Sequence, residues 1–409
     1  MFFDDYFNLL IQTLIPITLG LSVLFISRKV ITDSCCSSFI FLIAQLFLIS
    51  ISKYTSQESL IYFFILLATI ALTIGTSKYF KISKIFFVLF ILSWTIEKVV
   101  PLLNRPAELH QTYLNSIIEI TKQLSIIGVS YIGFKLIHFY VDQRSGKIKD
   151  YKPLDFLSWL FFFPTLIAGP MQRYQDWQSQ RALANFNIAS VVLGVQRIIY
   201  GLFYKLVIAD LLYLKTLPSM SDGTLAVAPF SEIFVASMFY TVYLFFDFAG
   251  YSSIAIGLAL FWDIRLPENF NKPYLARNLA EFWNRWHITL SEILRDYLYY
   301  PVSLSLKRKS FFKKHPLIGI VLPPIITFVI AGLWHGLTVG FFIFGLLHGV
   351  GLAFIAILGR YRNNKIISWA HNSKVQRYIS ALITFFYVSF AFIFFCLNNE
   401  RLQILFQLN

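Results

Sequence analysis

The sequence predicts an all-α protein whose helices cross or enter a membrane about ten to twelve times, because apolar windows of spanning length recur along it. Two further observations point the same way. The chain of 409 residues is 57% hydrophobic and only 14% charged, whereas soluble domains carry roughly a quarter of charged residues. Its charges also gather in short stretches between the apolar windows, as they do in the loops of polytopic proteins.

Taken in order, the candidate spans are residues 8–27, 38–52, 59–77, 83–100, 121–141, 154–169, 188–212, 230–262, 317–334, 339–359 and 376–397. The opening MFFDDYFNLLIQTL lacks a basic leader and a small-residue cleavage site, so it is expected to stay as a first span. Cys35, Cys36 and Cys396 form neither a metal spacing nor a disulfide framework. The formal charge of +14 comes with no basic stripe or stacking motif, which argues against nucleic acid and for orientation and anionic lipid contact.

Lysine and arginine set the topology. They cluster around Arg28 and Lys29, around Lys78, Lys81 and Lys84, and from Arg144 to Lys152. Two more clusters run from Lys307 to Lys314 and from Arg360 to Lys365, while Asp4 and Asp5 precede the first window. The positive-inside rule places all five basic clusters in the cytoplasm and the N-terminus outside. Between the last two clusters lies AGLWHG, residues 331–336. About 21 helical residues separate Lys314 from His335, a rise of roughly 30 Å or one hydrocarbon thickness. His335 is therefore expected at the turn of a helical hairpin, between Gly332 and Gly336, which allow a close backbone approach. An intramembrane histidine marks a functional site or hydrogen-bonds a neighbouring helix, and both readings stand on the residues alone.

Residues 265–301 interrupt the apolar pattern. Leu279, Phe282, Trp283, Trp286, Leu290, Ile293 and Leu294 fit one face of a helix, with Asn278, Glu281, Arg285, Glu292 and Arg295 opposite. Pro273 and Pro301 bound this island, which is expected along the membrane interface or beside an aqueous cavity, its tryptophans at headgroup level. Within it, His287 follows Asn284, Arg285 and Trp286 and precedes Asp296. It is read either as an acid/base or orienting group, or as an amphipathic interfacial side chain. Upstream, Asp247 lies inside an apolar window beside Gly250, Tyr251 and Ser252; it must pair or remain protonated, and Arg277, Arg285 and Arg295 are candidate partners. Residues 161–177 carry Pro164 and Gly169-Pro170, so the window there is expected to be broken or re-entrant.

Broken helices, isolated histidines and intramembrane charge suit a transferase or a transporter. HExxH, the Walker phosphate loop and GxSxG are all missing from the sequence. Direct activation of an acceptor hydroxyl by a neutral histidine then becomes the natural chemistry, with an acyl thioester as a donor that is already activated.

The ordered segments FPTLIAGPMQRYQDW, FFDFAGYSSIAIGLAL, ENFNKPYLARNLAEFWNRWHITLSEILRDYLYYP and AGLWHG resemble the membrane-bound O-acyltransferase family. They resemble in particular its bacterial branch, which acetylates alginate or transfers D-alanine in teichoic-acid modification. The segments LIAGPMQRY and LRDYLYYP are nearer the acetylating type, and the length of 409 residues is nearer the D-alanyl type. The resemblance implies a single membrane domain over 1–409, with N-terminal helices in 1–120, a catalytic core in 155–360 and a C-terminal helix in 361–409. It implies helices arranged around a central funnel or tunnel. It carries the family's histidine onto His335 and its second, asparagine- or histidine-type position onto His287. Asn284, Arg285, Arg295, Asp296, Asp247, Tyr251 and Trp334 are the expected donor-binding or cavity-lining residues, without a metal or a tightly bound cofactor. The implied donor is acetyl-coenzyme A or the phosphopantetheine of an acyl carrier protein on the cytoplasmic side. The implied acceptor is a hydroxyl of an extracytoplasmic cell-envelope polymer or of an export partner, across a bacterial cytoplasmic membrane. A flippase of lipid-linked sugars is the alternative from another class.

Overall fold

The computed structural model describes residues 129–166, 168–183, 187–360 and 373–407, and among these every regular element is helical. The expected windows 8–27, 38–52, 59–77 and 83–100, the pair Cys35 and Cys36, Asp4 and Asp5, and the first two basic clusters lie outside the described residues. So does the first part of window 121–141. Five described helices are long and apolar enough to cross a membrane: Ile188–Tyr213, Phe230–Leu260, Pro316–His335, Val339–Arg360 and Lys374–Cys396. They coincide with five windows expected from the sequence, and the chain is a multi-pass membrane protein.

The chain divides into two compact units, Met1–Ile198 with Ile254–Pro267, and Ile199–Ser253 with Glu268–Asn409. In the first, helix α1 (Val129–Arg144) packs on α2 (Pro153–Leu160), and α3 (Tyr174–Leu183) follows. The window 154–169 is not a span. Helix α2 stops at Leu160, a single 3-10 turn covers Phe163–Thr165, and Gly169 takes a positive φ of 106° before Pro170. The broken backbone is tolerated because protein groups satisfy it. The buried Lys135 ammonium donates to the Trp159 and Leu160 carbonyls, at 3.1 and 3.2 Å, and to Thr165 Oγ1 at 3.0 Å. Those carbonyls end α2, where a cation is best placed. Tyr131 donates to the Gly169 carbonyl at 2.7 Å, and His138 Nε2 accepts the Tyr174 amide at 2.9 Å.

The second unit takes the helical residues 199–213 and 230–253 and every element after Glu268. Helix α4 (Ile188–Tyr213) loosens into a π-helical stretch at Tyr204–Ala209. A short α5 (Asp222–Val227) leads into α6 (Phe230–Leu260). The polar island follows as three pieces, α7 (Leu279–Trp283), α8 (Ile288–Leu294) and α9 (Tyr300–Arg308). After α10 (Ser310–Lys314), helices α11 (Pro316–His335) and α12 (Val339–Arg360) make a tight hairpin. Finally α13 (Lys374–Cys396) and α14 (Asn399–Phe406) close the unit, each started by a side-chain cap, Ser373 and Asn398. Arg401 on α14 ties the chain back by donating to the Leu217, Pro218 and Met220 carbonyls and pairing with Asp222 at 3.0 Å.

The hairpin exists because small residues line its seam. A Cβ on Gly332 would lie 2.3 Å from the Phe341 carbonyl oxygen, and one on Gly345 would lie 2.3 Å from that of Phe328. On Gly349 it would meet Ile325 Cα at 2.7 Å. Lipid gives apolar helices little reason to associate, so such close backbone approach supplies the packing energy. Replacing Gly345 by alanine should cost about 1–3 kcal/mol, since backbone must move to make room. Gly359→Ala, where the added methyl meets nothing within 4 Å, should be neutral or slightly stabilising. Thermal unfolding of the two variants in detergent checks this, and equal midpoints would contradict the packing account.

Candidate active site

The island is not one helix. Its periodic face is real, since Leu279, Phe282, Trp286, Leu290, Ile293 and Leu294 are all buried, but the backbone turns between Trp283 and Ile288. His287 sits at that turn with φ 42° and ψ 52°, the left-handed region. An L-residue there costs roughly 1–2 kcal/mol, so surrounding contacts must hold it. Pro301 does not end the island either. A π-helical stretch at Arg295–Tyr299 feeds straight into α9, and Pro301 occupies its first turn. Proline lacks an amide, and its ring clashes with the carbonyl four residues back. The wider π turn accommodates both defects.

The tryptophans of the island pack against protein. Trp286 is 5% exposed and belongs to a core with Phe282, Phe344, Val388 and Phe392. Trp283 is partly buried, with its ring centroid 4.7 Å from that of Phe328. Such large aromatic surfaces contribute much of the packing energy of a core, and a buried indole N–H usually finds an acceptor.

Asn269 holds the turn. Its carbonyl accepts the Ile288 amide at 2.9 Å, its side-chain oxygen accepts Thr289 Oγ1 at 2.6 Å, and its side-chain nitrogen donates to Ser252 Oγ at 3.1 Å. The Asn271 amide donates to the Arg285 carbonyl at 2.9 Å, closing the other side. Phe248 on α6 packs its ring against the His287 imidazole, centroids 4.7 Å apart and nearly perpendicular. Ser252 was singled out beside Asp247 in the sequence, whereas Asn269 and Phe248 were not. The asparagine inside ENFNKPY, ahead of the histidine, was the available signal.

His287 is buried, and its Nδ1 has no hydrogen-bond partner among the described residues. Burial, and then the neighbouring His335, push its pKa down to about 3, so the ring is neutral at physiological pH. His335 ends α11 as expected, at the hairpin turn, but it is exposed where His287 is buried. Trp334, Phe341 and Phe395 surround its ring at centroid distances of 4.5, 5.8 and 4.9 Å. The two candidate histidines are therefore electrostatic neighbours with different access to solvent.

The other candidates divide. Arg285 donates to Glu281 at 2.5 Å, and Arg277 grips the same carboxylate at 2.8 Å. Burial raises the Glu281 pKa, but hydrogen bonds and charge from the two arginines outweigh it and hold the group ionised, below the usual range. Arg295 contacts Asp296 at 3.2 Å and Glu292 at 4.0 Å, so these charges pair within the island. Asn284 is exposed at the turn and Tyr251 is buried on α6. Asp247 is buried in an ion pair with Lys205, a residue the sequence had not suggested; Arg277, Arg285 and Arg295 were the partners proposed from it. Lys205 lies in the π stretch of α4, where a Cβ on Gly250 would lie 2.7 Å from the Gly201 carbonyl oxygen. That close approach brings the two charged side chains together.

Residues 36–397 match the membrane-bound O-acyltransferase family. The chain belongs to that family. It is an acyltransferase, which decides between transfer and transport in favour of transfer. It is 30% identical over 312 residues to the teichoic acid D-alanyltransferase of Bacillus subtilis, covering 75% of each chain. It is 36% identical over 243 residues to a probable alginate O-acetylase of Pseudomonas aeruginosa, covering 59% of this chain and 44% of that one. The peptidoglycan O-acetyltransferase of Helicobacter pylori is 34% identical over 249 residues, 60% of this chain and 44% of the relative. The chain thus spans three quarters of the first relative and less than half of the other two.

Asn269 gives a direct test of how the turn is held. Asn269→Ala leaves buried Thr289 and Ser252 hydroxyls without their amide partner, a cost of about 1–3 kcal/mol. The expected outcome is a lower unfolding midpoint together with faster proteolysis at the 284–287 turn. An unchanged midpoint and cleavage pattern would show that the turn does not depend on it.

Proposed function

We propose that this enzyme moves an acetyl or D-alanyl group from a cytoplasmic thioester to a hydroxyl of a cell-envelope polymer, or of a partner that carries the group onward. The protein would lie in a bacterial cytoplasmic membrane with its N-terminus outside. The observation that carries the reading is the pairing of an exposed histidine at the hairpin turn with a buried, neutral one on the island. The activities for which the three relatives are named, D-alanyl transfer to teichoic acid and O-acetylation of alginate or peptidoglycan, support the substrate class.

In this mechanism a nitrogen of His335 takes the proton of the acceptor hydroxyl as its oxygen attacks the thioester carbonyl carbon. A new C–O bond forms and the C–S bond breaks. The proton held on His335 passes to the leaving sulfur, so the products are an ester and a thiol. His287 positions the thioester or offers a hydrogen bond to the carbonyl oxygen as negative charge develops there. Asn284, Tyr251 and Trp334 are proposed to border the reacting groups. The charges of Arg285, Arg295 and Asp296 hold the island, and its arginines draw an anionic donor toward it.

Lys307, Arg308, Lys309, Lys313 and Lys314 are exposed on and around α9 and α10. They form a cytoplasmic surface suited to coenzyme A phosphates or to an acidic carrier protein. Reversing the charges at Lys307, Arg308 and Lys309 should raise the donor KM about tenfold at low salt and less at high salt, leaving kcat intact. A salt-independent KM would remove this role.

Reconstituted vesicles test the reaction itself. Labelled acetyl-coenzyme A or labelled D-alanyl carrier protein is enclosed with the cytoplasmic face, and ester-linked label is counted on acceptor polymer outside. One of the two donors is expected to label the polymer. Folded His335→Ala should lose at least about a hundredfold in kcat, the usual worth of a general base. Full activity of that variant would overturn the assignment.

A further inference from the structure

Two buried histidines, His138 and His348, are not used by the mechanism above, and the second lies beside the island. His348 lies on α12, fully buried, and its Nδ1 accepts the indole N–H of Trp283 at 3.3 Å. We propose that His348 is a positioning residue for the transfer reaction, holding through Trp283 the turn that carries His287 in register with the hairpin that carries His335.

Two contacts lay α7 along α12. Leu279, at the start of α7, covers Gly351, where an added Cβ would come within 2.7 Å of its methyl carbon. Trp283, at the end of α7, meets His348, three residues before Gly351. The first contact is apolar and can slide, whereas the second is directional and fixes register. Asn284 follows Trp283 directly, and the left-handed His287 closes the same turn. On its other side α12 is locked to α11 through Gly332 and Gly345, and α11 ends at His335. A shift of Trp283 relative to His348 is therefore a shift of one candidate catalytic ring relative to the other.

The surroundings of His348 favour this role over simple filling of space. Its ring is enclosed by Trp283, Phe328, Phe344, Tyr387 and Phe392, with centroids 4.6 to 6.5 Å away. Its Nε2 has no hydrogen-bond partner among the described residues. An apolar side chain would fill that site without the desolvation cost of an imidazole, so the bond to Trp283 is what the histidine supplies. Tyr387 braces the same turn of α12 from α13 by donating to the Leu347 carbonyl at 2.6 Å.

The inference rests on the proposed transfer reaction, and a double-mutant cycle with two readouts keeps the two separable. Trp283→Phe and His348→Leu should each lower kcat about tenfold with little change in donor KM, and the double variant should be no slower than either single one. His348→Asn, which keeps an acceptor near the Nδ1 position, should recover most of the rate. Unfolding midpoints verify that each variant is folded. The second readout is the rate at which diethyl pyrocarbonate modifies His287, followed by mass spectrometry. That rate should rise in Trp283→Phe and His348→Leu and return toward the parent value in His348→Asn. Additive losses, failure of asparagine to do better than leucine, or unchanged modification of His287 would overturn the positioning role. If the modification rates behave as expected but the parent protein transfers no acyl group, the reaction assignment fails, whereas the hold of His348 and Trp283 on the His287 turn stands.

Discussion

A left-handed residue inside an apolar protein needs several neighbours to hold it, and His287 has them. Asn269 fixes the amide and hydroxyl that follow it, Asn271 holds the carbonyl of Arg285, and Phe248 closes over the ring. Each backbone group left unpaired in such a medium would cost several kcal/mol, so the turn forms only with this set of partners in place. The rest of the unit follows from it. The break ends α7, lets Phe282 and Trp286 pack into one core with Phe344 of α12 and Phe392 of α13, and leaves the imidazole buried and neutral.

The hairpin provides the other half. Glycines at 332, 345 and 349 bring two helices within backbone contact, so the end of α11 is held by the main chain and not by flexible side chains. A general base benefits from such support, because a displacement of about 1 Å can cost a hundredfold in rate. His335 gains exposure at the turn without losing its anchorage, whereas His287 gains anchorage at the expense of exposure.

Much of this was legible in the sequence, for physical reasons. Apolar windows are long signals, so the five described spans coincided with those expected. Charge topology placed His335 at a hairpin turn because lysines and arginines bracket it at one hydrocarbon thickness. Periodicity identified the buried face of the island, but it cannot register a single left-handed residue, so the bend at His287 was invisible. The π turn that carries the chain past Pro301 was hidden for a related reason, since proline reads as a stop. The Lys205 partner of Asp247 depends on two glycines approaching across helices far apart in sequence, which no local pattern encodes.

In the proposed reaction the thioester is attacked between His335 and His287. An experimental structure with a non-hydrolysable thioether analogue of the acyl donor tests it most directly. The analogue's carbonyl-equivalent carbon should lie next to both rings, leaving room for a hydroxyl oxygen about 3–3.5 Å from that carbon and in hydrogen-bond reach of His335. An analogue bound with its reactive carbon away from His335 would contradict it.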